Sequence, residues 1–227
     1  KALPLILTSA LMGAHFCAHA YDDVVIFGDS LSDGGIYDSR FTTNPGLTAA
    51  EYFAQGLGYT TTTSTTGGTN YAQGGARVSS PSASNPPGFA QRPVSTQLTE
   101  YLSGTGGFAS NNSVYVIQGG ANDLFQNLAM VNAGAMTEAE LQENIISTGK
   151  SFAQQVATLQ SAGAKYIVVP NVPNLGATPA FSGALSSTGT KVSVGYNTVV
   201  QQALAAHGAN VIAVDTFGLI NEVVANP

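Results

Sequence analysis

Four short, nearly unbroken apolar runs punctuate the chain: Val24-Val25-Ile26, Val114-Tyr115-Val116-Ile117, Tyr166 to Val169, and Val211 to Val214. Runs of this length without polar alternation fit strands covered on both faces. Between them the apolar positions fall at helical spacing. Leu47 to Leu57 predicts a short helix with Thr48 near its start and Gly58 at its end, and Val94 to Leu102 predicts another. Glu138 to Ala162 puts Leu141, Ile145, Phe152, Val156 and Leu159 on one face and closes at Gly163. Lys191 to His207 turns Val192, Tyr196, Val199, Val200 and Leu204 inward, and Phe217 to Ala225 begins a last helix. This alternation predicts an α/β chain whose mainly parallel sheet carries helices on both faces.

The polar stretches fill in the connections. Thr60 to Gly68 reads as a surface loop or a weak edge strand, and Gly68 to Arg77 as a short strand ending in paired glycines. Ser79 to Pro93, rich in Ser, Pro, Asn and Gly, predicts an irregular loop. With no internal repeat or linker, residues 21–227 read as one domain.

The first twenty residues differ from the rest. Lys1 precedes an apolar segment from Leu5 to Phe16, then Ala18-His19-Ala20, small at the positions a signal peptidase reads. At ~12 residues the apolar part is too short to span a bilayer, so residues 1–20 are expected to be a partial secretory signal rather than a buried first helix. Cys17, His15 and His19 fall within it, leaving a mature chain without cysteine and hence without disulfides or thiolate metal ligands. The missing initiator methionine makes the chain read as an excerpt.

Composition narrows the partners. Only 9% of residues are charged, seven Lys and Arg against thirteen Asp and Glu, for a net charge of -6. Nothing here would neutralise a run of phosphates, which argues against nucleic acid.

The chemistry gathers where the apolar runs end. The first run leads into Phe27-Gly28-Asp29-Ser30-Leu31-Ser32-Asp33-Gly34-Gly35, a turn that presents a serine hydroxyl at the carboxyl end of a strand, where open α/β sheets keep their ligands. Ser30 is the candidate nucleophile. In the plainer reading, Ser30 or Asp33 only caps backbone donors at a helix start. Gly74 and Gly75 would present bare N–H groups suited to an oxyanion, or would merely form a tight turn. Gly119-Gly120-Ala121-Asn122-Asp123 offers an uncharged amide donor at Asn122, unless Asn122 caps the helix that follows. Asp123 is expected to be structural, capping that helix or bracing the loop. Phe89 and Leu124-Phe125 are candidates for an acyl pocket or for the core.

Taken together, Phe-Gly-Asp-Ser-Leu-Ser-Asp at 27–33, Asn-Tyr-Ala-Gln-Gly-Gly-Ala-Arg at 70–77 and Gly-Gly-Ala-Asn-Asp at 119–123 resemble the GDSL family of SGNH hydrolases, and within it the esterase passenger domains of bacterial autotransporters. Val-Val-Pro-Asn-Val-Pro-Asn-Leu-Gly at 168–176 and Val-Asp-Thr-Phe at 214–217 add to the likeness. The resemblance implies a flavodoxin-like three-layer fold and hydrolysis of lipid or short-chain acyl esters without metal or organic cofactor. It makes Ser30 the nucleophile and assigns the oxyanion hole to the N–H of Ser30, the N–H of Gly75 by its spacing from Asn70, with Gly74 the other choice, and the side chain of Asn122. It also implies export to the medium or the cell surface, with anchoring through a downstream membrane β-barrel.

One part of the family pattern is missing. The family's Asp-x-x-His pair, which supplies base and orienting carboxylate, occurs nowhere in the chain. His207 ends a helix just before the last strand, at the amino end of the sheet, and is expected to be a surface residue. Asp215 lies at the correct end of the last strand, but no histidine follows it. The base is therefore expected downstream of Pro227. The alternative from a different class is a non-catalytic binding module that keeps the cleft and lacks the base. A dinucleotide-binding domain is disfavoured, because neither Gly-x-Gly-x-x-Gly nor a Gly-Lys-Ser/Thr loop follows the first strand.

Overall fold

The computed structural model describes residues 20–43, 45–81 and 88–226. The expected signal segment, with His15, Cys17 and His19, lies outside the described residues apart from Ala20, as does the middle of the loop between Ser79 and Pro93.

Strands β1 (Val24–Phe27), β2 (Val114–Ile117), β3 (Tyr166–Pro170) and β4 (Ile212–Val214) form one parallel sheet in that spatial order. Val24 pairs with Val114, Val114 with Tyr166, and Val168 with Ile212, so all four carboxyl ends face one way. The strand expected between Gly68 and Arg77 is reduced to isolated bridges from Asn70 to Ile26 and Thr63. Its backbone still follows the free edge of β1, through Tyr71 N–H to Ile26 O at 2.7 Å and Gln73 N–H to Gly28 O at 3.1 Å. The next bridge is missing because the Gly28 N–H, which would reach the Tyr71 carbonyl, is taken by the Gln97 side chain. With this segment counted second, the order becomes 2-1-3-4-5, the flavodoxin-like arrangement.

β1, β2 and the centre of β3 bury both faces, as unbroken apolar runs require, whereas the equally apolar Ile212, Ala213 and Val214 of β4, expected to be covered, are exposed at the edge of the sheet. Val24, Ile26, Val114, Val116 and Val168 pack with Ala50 and Ala54 of α1 (Ala49–Gly56). Val25, Phe27, Tyr115, Ile117, Ile167 and Val169 meet α2 (Val94–Gly104), α3 (Ala121–Asn132), α4 (Glu138–Ser161) and α5 (Ser186–Ala206) on the opposite face. Thr48 and Thr137 start α1 and α4 with reciprocal capping boxes to Glu51 and Glu140. Helix α5 begins five residues before the expected Lys191. A Cβ at Gly189 would lie 2.7 Å from the Gly176 nitrogen, so the added turn docks closely on the 3-10 turn Leu175–Ala177. Ser186 Oγ donates to Gly176 O at 2.6 Å and fixes the contact. The final helix α6 (Thr216–Ala225) buries no residue, and Leu219, Val223 and Val224 are exposed beside Ile212 and Val214 of β4. Among the described residues no helix is long and apolar enough to cross a membrane.

Candidate active site

β1 carries the chain into the serine turn. Gln97 of α2, fully buried, clamps Gly28 from both sides, accepting its N–H at 2.8 Å and donating to its carbonyl at 2.8 Å. The Asp29 carbonyl accepts the Ser32 N–H at 3.1 Å and closes a four-residue turn with Ser30 and Leu31 at its apex. Asp29 Oδ1 receives the Leu31 N–H at 3.1 Å and the Gln118 amide at 2.9 Å, tying the turn to the end of β2. Burial holds the Asp29 carboxyl above the usual carboxylate range, against the opposing effect of these two bonds. Ser30 is half-buried, and neither its N–H nor its hydroxyl has a hydrogen-bond partner among the described residues.

Two further segments close around this turn. Asn70 donates to Ser32 O at 2.8 Å. Asp33, with no exposed surface, accepts the N–H groups of Gly35 and Ile36 at 2.9 and 2.8 Å and that of Gly74 at 2.7 Å. Asp33 therefore does cap backbone donors, one of them on a distant segment. The bond to Gly74 also separates the two glycines that spacing alone left open. The Gly74 N–H is consumed, whereas Gly75, at φ +76°, keeps an N–H with no acceptor among the described residues.

β2 delivers the third segment. Asn122 is the second residue of α3 and does not cap it; its side-chain amide donates to Ala76 O at 2.9 Å, beside Gly75. An amide has two N–H groups, so one remains available. Asp123 braces the same loop, accepting the Val78 N–H at 2.9 Å and pairing with Arg77 at 3.2 Å. Burial raises its carboxyl, opposed by the Val78 bond and the Arg77 charge. Gly120, at φ +115°, has no room for a side chain: a Cβ would lie 2.3 Å from the Tyr196 ring, whose hydroxyl donates to Gly119 O at 2.9 Å.

Unpaired N–H groups at Ser30 and Gly75 and a spare amide N–H at Asn122 are the kind of donors that stabilise negative charge developing on an oxygen. A residue chain covering residues 24–226 of this protein matches the family model described as GDSL-like lipase/acylhydrolase. The chain belongs to that family. It is 36% identical over 168 residues to Lipase 1 of Photorhabdus luminescens, covering 71% of this chain and 24% of that protein. With Esterase EstA of Pseudomonas aeruginosa it shares 32% identity over 120 residues, 52% of this chain and 17% of the esterase. The GDSL-like chain thus spans less than a third of the length of either relative. Among solved structures, LAE5, an alpha/beta hydrolase enzyme from the metagenome of Lake Arreo, aligns with a TM-score of 0.49 and 16% identity over 90% of this chain and 81% of that one.

The remaining ionisable candidates of this GDSL-like chain lie elsewhere. His207 caps the carboxyl end of α5 and is exposed, before β4 begins. Because the strands are parallel, that is the end of the sheet opposite the serine turn. Asp215 caps α6, accepting the Gly218 N–H at 3.0 Å and the Asn171 amide at 2.8 Å, and these bonds hold its carboxyl below the usual range. No cluster of three His, Cys, Asp or Glu side chains that could hold a metal occurs among the described residues. A small cleft of about 30 Å³ adjoins the turn, lined by Asp29, Leu31, Gln118, Pro170, Asn171 and Thr216 among others. A groove of about 590 Å³ between α5 and β4 is larger, yet it shares only Asn171 with that cleft and touches none of the serine turn. Sequence alone did not single out Gln97 or Gln118, since neither stands in a pattern that separates a structural glutamine from a surface one.

Proposed function

We propose that this chain forms the catalytic domain of a serine-dependent carboxylic ester hydrolase. Ser30 Oγ attacks the acyl carbon as its proton passes to a base. The oxyanion is held by the Ser30 N–H, the Gly75 N–H and the Asn122 amide, and its collapse expels the alcohol, which takes up the proton, leaving an acyl-Ser30 ester. Water then attacks the acyl carbon, the acid leaves, and Ser30 regains its proton. The observation that carries this reading is that Gly75 keeps an unpaired N–H while Gly74, donating to Asp33, and Ala76, accepting from Asn122, are fixed on either side of it.

The base, in this reading, is a histidine on polypeptide outside the 227 residues, in keeping with relatives several times longer than this chain. The apolar leader supports export, and the sequence likeness to autotransporter passenger domains supports display at the cell surface through a separate β-barrel.

The test is hydrolysis of p-nitrophenyl butyrate by the 227-residue chain, by the full-length gene product, and by Ser30→Ala in each. Full-length protein is expected to turn over and its Ser30→Ala variant to lose on the order of 10⁴-fold or more. Activity of the short chain well above its Ser30→Ala control would place a base within these residues and return His207 to consideration. Full-length protein that binds esters without Ser30-dependent turnover would be a binding module.

A further inference from the structure

Beyond Gly75 the site is bordered by aromatic rings. Tyr37 donates its hydroxyl to Gly74 O at 3.0 Å, so the ring is moored to the residue next to the unpaired N–H. Phe89 meets Tyr37 edge-on at 4.7 Å between centroids, and Phe41 does so at 6.5 Å. Phe41 also rests directly on Gly74, where a Cβ would lie 2.4 Å from its ring. Despite this mooring, Phe41 is 53% exposed and Phe89 40%. Of the other acyl-pocket candidates, Leu124 is fully buried in the core, and Phe125, exposed on one side, packs on Phe181 at 5.3 Å between centroids.

Rings held this firmly and left half-uncovered form a preorganised apolar surface, which gains by covering it and loses little entropy in doing so. Its contact with Gly74, next to the unpaired Gly75 N–H, points to its occupant: a group attached to the carbon whose oxygen that N–H would receive. We propose that Phe41 and Phe89, held by Tyr37, form the platform on which the apolar chain of an ester substrate lies, and that they set the preference for chain length. This rests on the ester-hydrolase reading above for the identity of the ligand. Burial pushes the Tyr37 hydroxyl up to about 12, so the platform carries no charge at working pH.

The chain has no tryptophan, so Phe89→Trp places a single emission reporter on the platform. Fatty-acid anions stand in for the acyl product. Titration of Phe89→Trp below micellar concentrations is expected to give saturable emission changes with decanoate and none with acetate, affinity rising by up to about fourfold per methylene. Adding Phe41→Ala should weaken decanoate about tenfold. Phe41→Trp, with Phe89→Ala as its partner change, is the second reporter should Phe89→Trp not fold. Equal responses to acetate and decanoate, no saturable response in either reporter, or indifference to removal of the neighbouring ring would overturn the platform. Loss of the catalytic reading has a separate signature: the full-length Ser30→Ala protein would still hydrolyse ester while decanoate binding stayed as described.

Discussion

The Asp33 carboxylate accepts the Gly74 N–H at 2.7 Å, joining the serine turn to the glycine pair across 41 residues of sequence. The same carboxylate holds Gly35 and Ile36. Asp33→Ala strands three backbone donors and is expected to cost about 3–5 kcal/mol, read from the urea midpoint. Asp33→Asn keeps one oxygen for Gly35 and Ile36 but turns an amide toward Gly74, and should fall between the two.

Asn122 separates stability from chemistry. Asn122→Ala removes a half-buried bond to Ala76 O and should lower stability by about 1 kcal/mol. In the active full-length protein it should lower kcat by about 10²–10³-fold with little change in KM. A kcat loss no larger than the stability change explains would remove Asn122 from the oxyanion donors.

Gly120 and Tyr196 are a steric pair. Gly120→Ala drives a methyl into the Tyr196 ring at a backbone angle that only glycine adopts easily, and is expected to abolish soluble folding. Tyr196→Phe loses only the bond to Gly119 O and should cost about 1–2 kcal/mol by thermal or urea unfolding.

Asp29 makes a pH-dependent contribution of defined sign. Its folded-state pKa is raised by burial, so protonation favours the folded state. The contribution is fully present below the ordinary carboxylate pKa and is lost as pH rises through the raised folded value. Asp29→Asn cannot titrate. The stability of wild type minus variant should therefore fall as pH is raised from the carboxylate range toward neutrality, measured by urea unfolding at several pH values. A difference that rose with pH would mean that hydrogen bonding, rather than burial, dominates at Asp29.

The first three strands were legible because they are covered on both faces, which leaves unbroken apolar runs such as Val114 to Ile117; β4 has the same kind of run and yet is exposed. Helices with a clear apolar stripe and a capping threonine were equally readable. The first turn of α5 was not, since Ser186 to Thr190 has poor helix formers and is held by contact with Gly176 rather than by propensity. The strand expected before the glycine pair failed for a similar reason: a contact from elsewhere in the chain, Gln97 on the Gly28 N–H, removes the bond that would have extended it. In the candidate site, the turns were visible but not which of their N–H groups stay free. The choice between Gly74 and Gly75 depends on which N–H Asp33 reaches, and no local spacing encodes a contact from another loop.

The bonds that hold the site end on buried side chains: Asp33 on Gly74, Gln97 on Gly28, Asn70 on Ser32. Dissolved ions screen exposed charges strongly and enclosed contacts far less. The donor array at the serine turn should consequently be indifferent to ionic strength. Moving from dilute buffer to about 1 M sodium chloride would loosen the exposed Arg40 from Glu51 while leaving Gly75 where Asp33 and Asn122 set it.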